Sequence, residues 1–432
     1  TQEAVVRNAR SAPLTVVTGP PGTGKSYTIT AIVLDAMLRG ERVLVASQMD
    51  KAVEVVADKV EKIVGTFAMA RSGGRAAQRE LSDKINRLTG PKRSRFKLHN
   101  LSIDELSKIA EEHKELSERL ETLEARYRDT IKQEQVWAES RESYDRLAPI
   151  CPLPVHEISS GTLQCAQAAA DRARELLTGE PGWIARLWGR WKKSRALGLL
   201  RVPRTWNSTL DELDEALHVQ ELADRIRNVE QNLRTPFPAD ALWQEIARLQ
   251  ADLRVKALRL LEATRGTELH ALVRDETSRG HLRTFRAMLR RRNPKLKKKL
   301  LESLDPAVPL KAFPVWGCTS RTLGQILPVT PGLFDLVVID EASQCDLATA
   351  AAALVRGKRA VIVGDPHQLR HVCFLSKVRE QAAFARHGVS SAGRERFRYR
   401  RSLFDVAADV VGQDVFFLLD QHFRSHPHII EF

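Results

Sequence analysis

The stretch GPPGTGKS, residues 19–26, decides the fold of this chain. A short β-branched run, LTVVT at 14–18, leads into it, and an apolar-periodic stretch at 27–38 follows it. This order predicts a strand, a glycine-rich loop and a helix. In that context the match to GxxxxGK[ST] indicates a phosphate-binding loop rather than a glycine turn that binds nothing.

The residue types in this loop suit the binding of ATP with Mg²⁺. Gly22 and Gly24 allow the backbone to curl, so that successive N–H groups point at phosphate oxygens near the positive end of the following helix. Lys25 can reach the β- and γ-phosphates, and Ser26 can bind Mg²⁺. We predict a nucleotide site formed by Gly19, Pro20, Pro21, Gly22, Thr23, Gly24, Lys25, Ser26 and Tyr27.

Three more continuous apolar runs end in small or polar residues. They are RVLVAS at 42–47, FDLVVID at 334–340 and RAVIVGD at 359–365. Strands that are buried on both faces of a parallel sheet have this composition. The sequence therefore predicts an α/β fold of the P-loop type, with a RecA-like parallel sheet.

An acidic pair, Asp340 and Glu341, follows the second of these runs. A carboxylate at the end of a neighbouring strand is what a phosphate-binding loop requires, and Asp340 would hold Mg²⁺ directly or through water. Glu341 is suited to orient and deprotonate the attacking water, which favours hydrolysis over transfer to a substrate. The alternative is an ordinary acidic pair on the surface.

The middle of the chain has long charged helical patterns. Apolar positions at steps of three and four over 106–127 form a heptad seam with one polar position, and a helix over Ile103–Leu147 would be about 65 Å long. A second set over 210–253 could return beside it as an antiparallel, partly coiled-coil stalk, or both could belong to an ordinary helical bundle. The predicted organisation is motor domain at 1–60, helical insertion at 61–309 and motor domain again at 310–432.

The charge of the chain favours a polyanionic partner. It has 432 residues with 68 Lys and Arg against 54 Asp and Glu, a net charge of +14. Nucleic acid fits that balance, as does an anionic membrane surface. The five cysteines lack disulfide, zinc or iron–sulfur spacing, and no signal peptide or membrane-spanning run is present. We expect a soluble, intracellular, cytoplasmic protein.

Two basic stretches lie in the insertion. Nine Lys or Arg and no acid occur over 283–299, including Arg290, Arg291, Arg292, Lys297, Lys298 and Lys299. Such density gives salt-dependent affinity for phosphates, although a solvated helix face would look the same. Over 182–204, Trp183, Trp188 and Trp191 alternate with basic residues, as in a base-stacking platform, a membrane-surface helix or a packed stalk.

Further segments make the resemblance to a family specific. They are ASQMDKAVEVV at 46–56, DEASQ at 340–344, VGDPHQL at 363–369 and LDQHFRSHPHIIEF at 419–432. In order and spacing they resemble motifs Ia, II, III and IV of superfamily 1 helicases. They are most similar to the branch, 1B, of the nonsense-mediated-decay RNA helicase and its DNA-helicase relatives. The resemblance implies ATP-driven movement on single-stranded DNA or RNA, in the 5′ to 3′ direction.

The resemblance also implies roles for residues outside the loop. Gln2, which lies 23 residues before Lys25, would contact the adenine edge, Gln368 would sense the γ-phosphate, and Arg424 would touch it. Ser47, Gln48 and Thr319 would contact the nucleic-acid backbone without reading bases. Asp50 departs from the Asn or His expected in that motif, and because an acid repels phosphate we do not expect a backbone contact from it.

We also expect the sequence to be part of a longer polypeptide, because it begins with Thr1 and stops at Phe432 directly after a motif. On the resemblance, a second RecA-like domain would follow, and without it the chain would bind ATP but hydrolyse it weakly. Two other readings compete. A chromosome-maintenance or break-repair ATPase with a coiled coil requires an LSGGQ-like signature before the acidic strand, where none occurs. A nucleic-acid-binding scaffold without motor activity would have no need of Lys25, Asp340 and Glu341.

Overall fold

Seven parallel strands form one sheet in the computed structural model. It describes residues 2–90, 101–150, 210–233, 239–291, 293–320, 322–369, 375–398, 400–412 and 415–419. The strands are β1 (Leu14–Thr18), β2 (Val43–Ser47), β3 (Met69–Ser72), β4 (Val315–Thr319), β5 (Phe334–Asp340), β6 (Gly357–Gly364) and β7 (Phe416–Leu418). Their spatial order is β3-β4-β2-β5-β6-β1-β7, and every pairing is parallel. All seven carboxyl ends therefore lie along one edge of the sheet.

Fourteen α-helices are described in these ranges. They are α1 (Gln2–Ala9), α2 (Lys25–Leu38), α3 (Asp50–Val64), α4 (Arg75–Thr89), α5 (Ile103–Leu147), α6 (Leu210–Leu233), α7 (Ala239–Arg274), α8 (Glu276–Arg290), α9 (Pro294–Glu302), α10 (Ala307–Ala312), α11 (Leu347–Leu354), α12 (Lys377–Arg386), α13 (Ser391–Arg396) and α14 (Leu403–Val410). None of the described helices is both long and apolar enough to cross a bilayer.

Alternating residues of the strands belong to two hydrophobic cores, one on each face of the sheet. Val16, Leu44 and Ile339 belong to one, which includes apolar residues of α4, α8, α10 and α14. Val17 and Val45 belong to the other, which α1, α2 and α3 complete. Because successive side chains of a strand point to opposite faces, a sheet covered by helices on both sides needs apolar residues at both parities. The predicted class, an α/β P-loop fold whose parallel sheet is interrupted by a helical insertion, is confirmed.

The sheet reaches further along the chain than the sequence pattern indicated. β3 falls within 61–309, the range predicted to be helical, and forms the edge strand beside β4. Its four residues, MARS, include Arg71 and Ser72, so they give no apolar run to detect. The predicted domain limits at 60/61 and 309/310 also differ from the division of chain contacts. Those contacts give one compact unit over Thr1–His113 and Val255–Phe432 and another over Lys114–Arg254.

In the second unit, α5 and the beginning of α7 run in opposite directions. Arg119 pairs with Glu245 at 2.9 Å, and the ring of Tyr127 lies 5.7 Å from that of Trp243. Glu134 accepts the Ala239 N–H at 3.4 Å. Partner numbers fall as numbers along α5 rise, which is the antiparallel order predicted for the two arms. A coiled-coil geometry for them stays a prediction.

Candidate functional site

Residues predicted to act on ATP and on nucleic acid meet at the carboxyl edge of the sheet. Ser47 is in register with Thr319 on one side and with Asp340 on the other. Further along the edge, Thr18, which precedes the loop, is in register with Gly364. Neighbouring strands lie about 4.8 Å apart, and only β6 separates β1 from β5. The phosphate-binding loop and the acidic pair are therefore about 10 Å apart at their strand ends, a span suited to a triphosphate and a cation.

The loop has the curled backbone that its sequence predicts. Gly22 and Gly24 have φ values of 98° and 82°, which an L side chain rarely adopts, and Gly24 caps α2. A Cβ on Gly19 would come within 2.6 Å of Thr23 Oγ1 and 3.0 Å of Leu419, so this position also requires glycine. Lys25 Nζ donates to the Gly19 carbonyl at 2.7 Å, which holds the ammonium over the loop.

Gln2 and Tyr27 border the loop on its outer side. Gln2 Nε2 donates to the Thr23 carbonyl at 3.4 Å, so α1 places the glutamine beside the loop, while its contact with adenine stays a prediction. Tyr27 is 67% exposed, and the ammonium of Lys59 lies 3.5 Å from the centre of its ring. Pro20 and Pro21 are exposed on the same loop, and Ser26 is half-buried in the first turn of α2.

Asp340 is buried, and its surroundings disfavour the ionised form of its carboxyl group. Burial chiefly, and then the neighbouring Glu341 carboxylate, raise the pKa of Asp340 to about 6, while Lys25 opposes the rise. The Glu341 N–H donates to Asp340 Oδ1 at 2.9 Å. Glu341 itself is left-handed, with φ 53° and ψ 42°, alone among the described non-glycine residues in having a positive φ. The two adjacent carboxylates offer the oxygen ligands that a divalent cation such as Mg²⁺ takes.

Removing the Asp340 charge should therefore stabilise the free protein at neutral pH. The folded-state pKa lies above the unfolded value, so the stability due to this group is full below about pH 4 and is lost as pH rises through about 6. Asp340→Asn, which keeps the oxygen that accepts the Glu341 N–H, should be more stable than the parent by up to about 3 kcal/mol at pH 8. Urea unfolding at pH 4 and pH 8 measures the effect. An Asn variant that is no more stable at pH 8 than at pH 4, relative to the parent, would contradict it.

The end of β6 brings Gln368 to the same edge. Gln368 is half-buried in the turn after the strand, and its N–H donates to the Asp365 carbonyl at 3.2 Å. Asp365 is buried, accepts the His367 N–H at 2.9 Å and donates its own N–H to Ser343 Oγ at 3.4 Å. The turn after β6 is thus bonded to the turn after β5. The sequence motif contained Asp365 and Ser343 but gave no reason to single them out.

Ser47 and Thr319 belong to a group of hydroxyl residues at the other half of the edge. Both are buried, and the Ser320 N–H donates to the Ser47 carbonyl at 3.0 Å. Thr319 Oγ1 lies 2.9 Å from Thr322 Oγ1, which also reaches the Ser72 carbonyl at 3.0 Å. Ser320 and Thr322 were not predicted as site residues, although the repeated hydroxyls of TSRT were a signal for them.

Gln48 connects this group to the turn at 340–345, here called the acidic turn because it begins with Asp340 and Glu341. Its side-chain N–H donates to Cys345 Sγ at 3.6 Å, and burial raises the pKa of the Cys345 thiol to about 11, so the thiol stays neutral. Asp50, the residue that departs from the expected motif, begins α3. Its carboxylate packs against Gly73, where a Cβ would come within 2.1 Å of it. An acid in the first turn of a helix is favoured by the helix dipole.

In the basic run at 283–299, the packing of α8 and α9 leaves some side chains exposed and buries others. Leu282, Phe285, Met288 and Leu289 are buried in the core with residues of α4. Lys297 is half-buried and its Nζ donates to Gln78 Oε1 at 3.4 Å, and burial lowers the pKa of Lys297. The residues of the run that remain exposed include Arg290, Arg291, Lys298 and Lys299. Arg292, Arg424 and the tryptophan-rich stretch at 182–204 lie outside the described residues.

Comparison with known proteins identifies related sequences. Residues 1–376 match a protein-family model described as "AAA domain". Over 100 residues, 23% of the chain, the sequence is 35% identical to "Helicase SEN1" of Saccharomyces cerevisiae, and the match covers 4% of that protein. Over 64 residues, 15% of the chain, it is 42% identical to "Uncharacterized ATP-dependent helicase MG140" of Mycoplasma genitalium, of which 6% is covered. The chain thus aligns with only a small part of each relative.

Proposed function

The chain belongs to the AAA domain family, and we propose that it is the ATP-binding part of a helicase or translocase that moves along single-stranded nucleic acid. Two relatives named as helicases support an ATP-dependent activity of this type. The observation that carries the proposal is the shared carboxyl edge. Lys25 and Asp340 lie on either side of the end of β6. The group of hydroxyl residues around Ser47 lies next to β5, on its other side.

The loop residues would bind the triphosphate. The N–H groups of the curled backbone at Gly22 and Gly24 would donate to phosphate oxygens, and Lys25 would exchange its bond with the Gly19 carbonyl for bonds with the β- and γ-phosphates. Ser26 and Asp340 would hold Mg²⁺, which when bound neutralises charge on the phosphates. Gln2, already at the loop, would recognise the adenine edge, and Tyr27 offers an exposed ring beside it.

Glu341 would act as the general base. The left-handed backbone of Glu341 turns the chain out of the buried strand β5, whereas its neighbour Asp340 is the last residue of that strand. Gln344 Nε2 lies 3.5 Å from Glu341 Oε2 and can help to orient the carboxylate. Gln368 would detect the γ-phosphate, Arg424 would contact it, and a second RecA-like domain would supply further charge for efficient turnover.

Nucleic acid would bind along the half of the edge that holds Ser47, Gln48 and Thr319. Hydroxyl and amide groups at strand ends donate to backbone phosphates without reading bases, which a motor that passes over any sequence requires. Arg290, Arg291, Arg292, Lys297, Lys298 and Lys299 would add a phosphate grip. The Gln48–Cys345 contact joins this half to the acidic turn, so the strand and the nucleotide can affect one another. The 5′ to 3′ direction rests on the family resemblance.

Single-stranded nucleic acid should stimulate the ATPase. Phosphate release is measured with oligonucleotide DNA and RNA offered separately, and the Lys25→Ala variant gives the background from contaminants. Stimulation by either polymer is the expected result. The affinity for the strand should also change by about 5- to 150-fold between the nucleotide-free and ATP-analogue states, a typical coupling between two sites. A motor would be excluded if nucleic acid did not change the ATPase rate and nucleotide did not change the affinity for the strand.

A further inference from the structure

A further basic surface lies outside the two basic stretches of the helical insertion. The segment at 377–401, here called the basic segment, contains eight Lys or Arg and two Glu. It includes α12 and α13 and follows Gln368 along the chain. No motif of the proposed function uses it.

Four of its eight cations face solvent without a carboxylate partner among the described residues. Lys377, Arg379, Arg386 and Arg396 are exposed, and among the described residues none of the four has a carboxylate within ion-pair distance. Arg379 and Arg386 lie seven residues apart on α12, so both are on one face, about 10 Å apart along the axis. These four cations form no ion pair that would stabilise the described part of the fold.

The carboxyl end of the basic segment lies at the candidate site. The chain leaves the sheet after β6 and the turn with Gln368. It returns at α14, where the Leu403 N–H donates to the Cys345 carbonyl at 2.8 Å and Ser402 forms a β-bridge with Asp346. Because Gln48 donates to the thiol of the same Cys345, the returning end lies beside the predicted nucleic-acid surface.

The side chains of the segment indicate which polyanion it would bind. The exposed α12 residues between the cations are Val378, Gln381, Ala382, Ala383 and Ala385, and Val378 alone among them has a large apolar side chain, which is too little for a face that inserts into a membrane. Phe397, 49% exposed, lies between Arg396 and Arg398. An exposed ring between guanidinium groups suits a strand whose bases can stack while its phosphates meet the cations.

We propose that the basic segment binds the phosphate backbone of the nucleic-acid strand as it passes Gln48. Lys377, Arg379 and Arg386 contact phosphates, and Phe397 stacks against a base. The proposal rests on the proposed function, because it assigns an added contact to the same strand. It makes the segment that follows Gln368 part of the track, so that the track is longer than the strand ends alone provide.

Neutralising the three cations should reduce the salt dependence of binding. In the full chain, Lys377→Gln, Arg379→Gln and Arg386→Gln are combined, and affinity for a fluorescent single strand is measured against salt concentration. Each phosphate contact contributes about 0.7 to the slope of log affinity against log salt, so the slope should fall by about 2. A variant with Arg379→Lys and Arg386→Lys keeps the charges and should keep the slope.

A control with the same change of net charge separates contact from general attraction. Lys62, Lys311 and Lys358 are exposed and lie near the opposite, amino edge of the sheet, and changing all three to Gln should leave the slope as it is. An unchanged slope in the test variant, or an equal fall in both variants, would overturn the proposal. So would a test variant that binds the strand normally but loses binding to phosphatidylserine vesicles. A parent chain that binds neither DNA nor RNA would remove the proposed function itself.

Discussion

Replacing Lys25 with alanine should abolish measurable binding of labelled ATP while the protein remains folded. The ammonium is held over the loop by the Gly19 carbonyl, within reach of the β- and γ-phosphates. Loss of two hydrogen bonds to charged phosphate oxygens costs about 3 kcal/mol or more, which corresponds to about 100-fold or more in affinity. Equilibrium titration with a fluorescent ATP analogue and Mg²⁺ measures the change.

The folded state needs a separate check because Lys25 also bonds to the loop. Loss of the bond to Gly19 should cost about 1 kcal/mol of unfolding free energy, too little to unfold the sheet. Lys62→Ala removes an exposed ammonium at the far end of α3 and should leave ATP affinity as it was. A Lys25→Ala protein that binds ATP as tightly as this control would show that the loop is not the nucleotide site.

Replacing Glu341 with glutamine should leave ATP binding intact and stop turnover. Glutamine keeps the size of the side chain and an oxygen that can accept from Gln344, but it cannot take a proton from water. General-base catalysis contributes about 10²- to 10⁴-fold, so phosphate release should fall by that factor at saturating ATP and single-stranded nucleic acid. Rapid-quench measurement of one turnover isolates the hydrolytic step from product release.

Glu118→Gln is the matched control, since it makes the same chemical change at an exposed position of α5. It should hydrolyse ATP at the parental rate. If the Glu341→Gln protein also does so while binding ATP normally, another group must activate the water, and the role proposed for Glu341 would be wrong.

Strands with long apolar runs could be read from the sequence. β1 and β5 occupy the predicted positions 14–18 and 334–340, because both are buried on each face and their few polar residues do not interrupt the apolar run. β3 could not be read in this way. It has four residues, and Arg71 extends from it to pair with Glu80 and Glu54. An edge strand can carry such a residue because one side of it faces solvent.

The order of the strands could not be read from the apolar runs at all. Hydrophobicity specifies that a segment is buried in a sheet, but it does not specify which neighbour supplies the hydrogen bonds. β2 lies between β4 and β5, although more than 260 residues separate it from either along the chain. The register that aligns Ser47 with Thr319 and Asp340 follows from that order, so the sequence could name these residues but could not bring them together.

The candidate site was predictable where backbone and charge requirements are strict. Gly22, Gly24 and Lys25 are required by the loop, and the structure has the positive φ values that explain both glycines. The contacts that connect the two halves of the edge were not predictable. Gln48 meets Cys345, and Ser343 meets Asp365, through bonds between turns of different strands. Such bonds depend on the tertiary arrangement and have no local pattern.

The acidic turn has one more consequence. Asp340 is buried against its own charge, and Glu341 is held in a backbone conformation that costs an L residue about 1–2 kcal/mol. Neither residue is the most stabilising one at its position. An amide in place of Asp340, or a glycine in place of Glu341, would give a more stable fold. Selection for thermal stability alone would therefore replace first the two residues that we propose hold Mg²⁺ and activate water.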